Sequence, residues 1–146
     1  MSDIGSVNGS IRLGDNVTVD GEIDVVNGKI TLGEGTRVAD DVENVNGEIT
    51  LRGAEVGGDV VTVSGDINLE SGASVRGNVV VEKPGGWGRN NERRKPRVII
   101  GPGSVVTGEI RLEREVELYI SESAQVGGVS GEMGMDDAVR FSGERP

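Results

Sequence analysis

A short phrase, Gly-x-Ile-x-Leu, returns along this chain in one direction and at a nearly fixed period. It stands at Gly9, Ile11 and Leu13, at Gly28, Ile30 and Leu32, at Gly47, Ile49 and Leu51, and at Gly65, Ile67 and Leu69. Successive glycines lie 19, 19 and 18 residues apart. Repetition at such a period, with strand chemistry in every copy, points to a β-solenoid, where each turn buries its apolar residues only by stacking on its neighbours.

Aligning the copies predicts six turns, starting at Ile11, Ile30, Ile49, Ile67, Val98 and Leu118. Two residues on come Leu13, Leu32, Leu51, Leu69, Ile100 and Ile120, and further along Val19, Val38, Val56, Val75, Val106 and Val126. A third set, Ile23, Val42, Val60, Val79 and Ile110, precedes the closing residues Val26, Val45, Val63, Val81 and Leu112. Each turn therefore reads as three short strands whose aliphatics alternate inward, the period of a pleated strand. Glycine and polar residues mark the corners: Gly14, Gly33 and Gly101 at one, and Gly21, Gly58, Gly77, Gly108 and Gly128 at the next. The third holds Asn8-Gly9, Asn27-Gly28, Asn46-Gly47 and Ser64-Gly65. Asparagine and glycine tolerate positive φ, and stacked Asn8, Asn27 and Asn46 are expected to bond to one another along the axis.

Asn-Gly between alternating hydrophobics is also the strongest short-range hairpin signal, so an antiparallel meander or sandwich is the competing fold. The fixed direction and period favour the solenoid, because hairpins give no reason to place like on like. The expected fold is an all-β, single-stranded, three-faced β-helix of about six coils. At the strand spacing of about 4.8 Å, it forms a rod about 30 Å long. Intervals of 19 break the strict multiples of six that left-handed β-helices require, which favours the right hand.

Composition agrees with a thin aliphatic core. Of 146 residues, 25 are glycine, and the aromatics are Trp87, Tyr119 and Phe141 alone. The expectation is one solenoid domain over 1–146, with a projecting basic loop at 83–97 and a C-terminal cap at 130–146. The chain has no cysteine and no histidine. It therefore lacks disulfides, thiolate ligands and the commonest general base and transition-metal ligand. Acyl transfer of the hexapeptide-enzyme kind normally needs that histidine, so the chain is expected not to be an enzyme. No cofactor is expected either.

The net charge of −10 is unevenly spread. Residues 1–82 hold 15 acids and 5 bases, and residues 98–146 hold 9 acids and 4 bases. Between them, Lys83, Arg89, Arg93, Arg94, Lys95 and Arg97 face only Glu92. An acidic body repels phosphate over most of its surface, so no nucleic-acid partner is expected. The basic segment around Trp87 has the chemistry to engage an anionic polymer, lipid headgroups or an acidic protein face. Its plain reading is a solvated insertion. Gly85-Gly86-Trp87-Gly88 lacks the Lys-Ser/Thr and strand-to-helix setting of a phosphate cradle.

Acidic clusters at Asp15, Asp20, Glu22 and Asp24, and at Asp40, Asp41 and Glu43, have the oxygen chemistry of a Ca²⁺ site but match no Ca²⁺-binding spacing. They read as solvated faces. Paired carboxylates such as Glu109 with Glu113 arise in almost any acidic solenoid and carry no glycosidase argument. No apolar run reaches membrane-spanning length, and Met1 to Ser10 lacks the basic start and apolar stretch of a signal peptide. The default location is cytoplasmic, with membrane or envelope association open, and periplasmic if a leader has been removed.

The run from Val56-Gly57-Gly58-Asp59-Val60 through Ser64-Gly65-Asp66-Ile67 to Ser74-Val75-Arg76-Gly77-Asn78-Val79 resembles the coil motif of bactofilin-type, polymer-forming β-helix proteins of bacteria. The resemblance spans roughly residues 7–82 and 98–129. It implies a right-handed β-helix that assembles end to end into nucleotide-free filaments, often membrane-associated or scaffolding envelope enzymes. The chain departs from that pattern in its basic insertion and in lacking a short apolar N-terminal segment.

A solenoid exposes an unpaired strand edge at each end and must cap it or use it. Val7, Ile11 and Leu13 at one end, and Tyr119, Ile120, Val126 and Phe141 at the other, are the candidate assembly residues. Met133, Met135, Val139 and Phe141 supply either a plug over the last coil or an added strand, Val139 to Phe141, that presents Phe141 to a neighbour. The expected function is a non-enzymatic scaffold that associates with itself through its terminal coils. The alternative is a monomeric or dimeric binding module whose basic loop, through Trp87, Arg93, Arg94 and Lys95, takes an anionic envelope component.

Overall fold

The computed structural model describes residues 3–82, 96–114, 116–131, 134 and 137–142. Strands follow one another in threes. The first turn holds β1 (Ile4–Asn8), β2 (Ile11–Leu13) and β3 (Thr18–Val19), and the second β4 (Ile23–Asn27), β5 (Ile30–Leu32) and β6 (Arg37–Val38). Then come β7 (Val42–Asn46), β8 (Ile49–Arg52) and β9 (Glu55–Val56), followed by β10 (Val60–Thr62), β11 (Ile67–Glu70) and β12 (Ser74–Val75). The fifth turn holds β13 (Val79–Val81), β14 (Arg97–Ile100) and β15 (Val105–Val106), and the sixth β16 (Ile110–Leu112), β17 (Glu117–Ser121) and β18 (Gln125–Val126). Two further strands, β19 (Val129–Gly131) and β20 (Val139–Phe141), start a seventh.

Every third strand pairs in parallel, giving three faces. The first stacks seven strands from β1 to β19, the second seven from β2 to β20, and the third six from β3 to β18. The chain is thus an all-β solenoid of about six turns, and the antiparallel alternative falls.

Register follows the repeat. Ile11, Ile30, Ile49, Ile67, Val98 and Leu118 stack in one column of the second face, with Leu13 through Ile120 in the next inward column. Val19 to Val126 form the third-face column. The step from Ile67 to Val98 keeps register although the chain makes a far longer excursion there. Aliphatic columns from all three faces meet in one continuous core. Each fully buried Ile, Leu or Val contributes about 1.5–3 kcal/mol.

The closing column of the first face differs from the sequence reading. Strand alternation from Ile23 turns Val25 inward, and Asn44, Thr62, Val81 and Leu112 follow it in register. Val81 and Leu112 close their turns as expected. Val26 and Val45 are exposed and Val63 is half-buried. The two polar members of the inward column satisfy each other. Thr62 Oγ1 donates to Asn44 Oδ1 at 2.5 Å and accepts from the Gly65 backbone N at 3.0 Å.

Corners are built from contacts between turns. Asn27 Nδ2 donates to Asn8 Oδ1 at 3.2 Å and Asn46 Nδ2 to Asn27 Oδ1 at 2.9 Å, the expected ladder. Beside it, Gly28 and Gly47 hold φ of +152° and +120°. A Cβ on Gly47 would lie 2.0 Å from the Gly28 carbonyl oxygen, and one on Gly28 would lie 2.1 Å from that of Gly9. At Gly28, Gly47 and Gly65 the turn on the N-terminal side leaves no room for a side chain.

Candidate functional site: the open ends of the coil stack

Among the described residues, three strand edges stand at each end of the stack. They are β1, β2 and β3 at the N-terminal end and β18, β19 and β20 at the C-terminal end. Such edges carry unpaired N–H and C=O groups and are templates for pairing with another chain. The apolar residues tell the same story. Hydrophobics packed against the core yet only partly buried are Ile4, Leu13, Val17, Ala124, Val126, Val129 and Ala138. All lie in the first turn or from the sixth-turn corner at Ala124 onward, so among the described residues the core is left partly uncovered at both ends.

The N-terminal end is the better template. Its inward residues Ile4, Ile11 and Leu13 carry no charge. The amide ladder donates toward this end, which leaves Asn8 Nδ2 as an outward donor. At the C-terminal end, β20 pairs Val139, Arg140 and Phe141 with Tyr119, Ile120 and Ser121. Arg140, exposed, therefore takes the inward column below Ile120. A charge in an inward position on an edge strand blunts pairing.

The residues singled out for assembly separate accordingly. Ile11 and Leu13 stand at the N-terminal edge, nearly buried and half-buried, and half-buried Val126 stands at the edge of β18. Val7 is 65% exposed, but strand parity aligns it with Val26 on the outer side of the first face rather than on the end. Tyr119 also points sideways, its hydroxyl 3.5 Å from Glu117 Oε1. Ile120 is wholly buried because β20 covers it. Phe141 is only 8% exposed, beside Ser121, so the added strand forms but buries this ring instead of presenting it. Ile4 and Val129 escaped the sequence reading, although each lies 19 residues from a column member, Ile23 and Ile110.

Of the basic segment, Lys83, Trp87, Arg89, Arg93, Arg94 and Lys95 lie outside the described residues. Arg97 belongs to strand β14 rather than to a loop. Register places it on Glu117, with Nε 3.3 Å from Glu117 Oε1, and its backbone N donates to Asp66 Oδ1 at 2.9 Å.

Several acids have a structural task that the sequence reading missed. Asp41 Oδ1 accepts the Asp59 backbone N at 2.7 Å, Asp59 Oδ1 that of Asn78 at 2.8 Å, and Asn78 Oδ1 that of Glu109 at 2.9 Å. Asp3 and Asp15 do the same for Glu22 and Glu34. A short acceptor side chain at a corner thus carries the hydrogen bonding across the bend, and the signal was its recurrence just before each strand. Among the described residues no three acidic side chains gather closely enough to hold a metal ion. Outward on the first face, burial lifts the Glu43 carboxyl above its ordinary value, with further lifts from Asp41, Asp24, Glu22 and Glu82. Among the described residues, no helix is long and apolar enough to cross a membrane.

No family model, curated protein or solved structure matches this chain.

Proposed function

We propose that this chain is a non-enzymatic structural element of bactofilin type, which associates with itself through its terminal coils. The observation that carries the reading is the concentration of half-buried aliphatics at open strand edges in the terminal turns. Main-chain pairing between edges and closure of the aliphatic columns drive the contact, and both scale with what a second copy covers. The uncharged inward residues of the N-terminal edge, Ile4, Ile11 and Leu13, support a two-fold contact between like ends, while Arg140 makes the opposite end the weaker partner.

Light scattering behind size exclusion, with negative-stain microscopy of the same fractions, tests this. The expected result is a mass that grows with concentration, with paired or filamentous rods. Leu13→Asp places a charge on the N-terminal edge and is expected to return the protein to monomer. A sharp monomer at every concentration, or assembly unaltered by Leu13→Asp, overturns the reading.

A further inference from the structure

Three corners share one dipeptide, Asn8-Gly9, Asn27-Gly28 and Asn46-Gly47, whereas the other asparagines among the described residues each precede a valine or leucine. An asparagine followed by glycine carries its own reaction partner. The glycine nitrogen, unhindered by a side chain, is placed to attack the carboxamide carbon of the residue before it. In a folded chain the rate is set by how firmly that nitrogen and that carboxamide are held.

The three corners differ in this respect. The Gly9 N–H donates to the Asn27 carbonyl oxygen at 2.9 Å, and the Gly28 N–H to that of Asn46 at 3.0 Å. Gly47 breaks the series, because its N–H has no hydrogen-bond partner among the described residues. The repeat changes at the same place. The next glycine follows after 18 residues instead of 19, Ser64 stands before it in place of an asparagine, and the Gly65 N–H donates to Thr62 Oγ1.

The carboxamides show the same contrast. Asn27 donates to Asn8 Oδ1 and accepts from Asn46 Nδ2, while Asn8 only accepts and Asn46 only donates. With the glycine N–H included, three hydrogen bonds among the described residues restrain the reacting groups at Asn27-Gly28, two at Asn8-Gly9 and one at Asn46-Gly47. Asn46 is also exposed, at the end of β7.

We propose that Asn46 is a site of spontaneous modification, deamidating through a cyclic imide formed with Gly47. The Gly47 nitrogen forms a bond to Asn46 Cγ and the Cγ–Nδ2 bond breaks. The departing nitrogen takes the Gly47 proton and leaves as ammonia. Water then opens one of the two imide carbonyls, giving aspartate or, with Cβ drawn into the main chain, isoaspartate. Either product loses the donor that Asn46 Nδ2 supplies to Asn27 Oδ1 and adds a negative charge to a chain whose net charge is already −10. Isoaspartate also lengthens the main chain by one atom beside Gly47, where the neighbouring turn leaves no room for an added carbon. The corner loosens with age, and the site stands independently of end-to-end assembly.

The intact chain, incubated in warm, mildly alkaline buffer made with heavy-oxygen water and then digested with trypsin, tests this by mass spectrometry. Cleavage after Arg12, Lys29, Arg37 and Arg52 puts Asn8, Asn27 and Asn46 on separate peptides, and fragmentation separates Asn46 from Asn44. The two further hydrogen bonds at Asn27 are expected to make its conversion about tenfold slower than that of Asn46, with Asn8 between them. In urea the three are expected to convert at similar rates, because the same dipeptide reacts once the restraints are gone. The proposal is overturned if Asn8 or Asn27 converts as fast as Asn46 in the folded protein, or if none converts there while all do in urea. It also fails if the order persists unchanged in urea, which would place its cause in the local sequence and not in the fold.

Discussion

The glycines of the Asn-Gly corner allow folding and assembly to be separated by single methyl groups. On Gly47, an added Cβ would sit 2.0 Å from the Gly28 carbonyl oxygen and 2.6 Å from its carbon. Both are main-chain atoms of the adjoining turn, so relief requires the two turns to move apart by about an ångström at a hydrogen-bonded corner. The backbone at Gly47, with φ +120°, adds about 1–3 kcal/mol for a residue carrying a side chain. Together these place Gly47→Ala among the exceptional substitutions, at about 4–6 kcal/mol, a large part of a typical stability of about 5–15 kcal/mol. Gly9 holds a similar φ of +139°, yet the closest atom to its added Cβ is Ser6 Oγ at 3.4 Å. No main-chain carbonyl of a preceding turn meets it there, because Gly9 lies in the first described turn. Gly9→Ala is therefore expected to cost only the backbone strain, about 1–3 kcal/mol, while placing a methyl where a second copy must approach. Urea unfolding followed by far-ultraviolet circular dichroism reads the first quantity, and light scattering reads the second. Wild-type stability for Gly47→Ala would refute the close-contact argument. Wild-type assembly by a folded Gly9→Ala would remove the N-terminal edge from the interface.

Other substitutions test the interior and the surface separately. Thr62→Val strips partners from Asn44 Oδ1 and the Gly65 N–H, and is expected to cost about 2–4 kcal/mol. In the Asn44→Val, Thr62→Val double variant the loss falls short of the sum of the singles, measured by a double-mutant cycle in urea. Ser104 is fully buried with its hydroxyl unpartnered, in a corner position where neighbouring turns carry Ala54 and Ala73. Ser104→Ala is expected to stabilise by about 1 kcal/mol, seen as a raised urea midpoint with unchanged slope. Glu43, lifted chiefly by burial and then by its acidic neighbours, binds its proton more tightly folded than unfolded. It consequently opposes folding at neutral pH, and that penalty fades as pH falls through the raised folded value toward the ordinary 4.5. Glu43→Gln should be more stable than wild type at pH 7, with the gap closing on acidification. A gap independent of pH would place the effect elsewhere.

Most of the fold was legible because its strongest determinant is one-dimensional. Residues such as Ile30 and Ile49 are interchangeable members of a column, and their spacing alone sets which atoms stack. The closing column was not legible in the same way. Val25-Val26 offers two equivalent aliphatics in sequence, and only the alternation from Ile23 decides between them. Asn44 and Thr62 are polar residues made acceptable inside by each other, a pairing that no local pattern announces. At the ends, the covering of Ile120 depends on where β20 lands, and the stretch leading to it has no repeat to align. The corner aspartates looked like an ordinary acidic surface because their task, receiving a backbone N–H from the following turn, involves a neighbour about nineteen residues away in sequence.

The passage from Ile67 to Val98 has a wider consequence. Thirty-one residues there do the stacking work that nineteen do between Ile30 and Ile49, and the columns on either side do not shift. A corner of this solenoid is therefore a port: chain can be added or exchanged between Glu82 and Pro96 at an entropic cost that grows only as the logarithm of its length. The columns keep their register whatever length of chain lies between those two residues. A solenoid of this kind can thus carry insertions of different length at a fixed height along its axis without relearning how to fold.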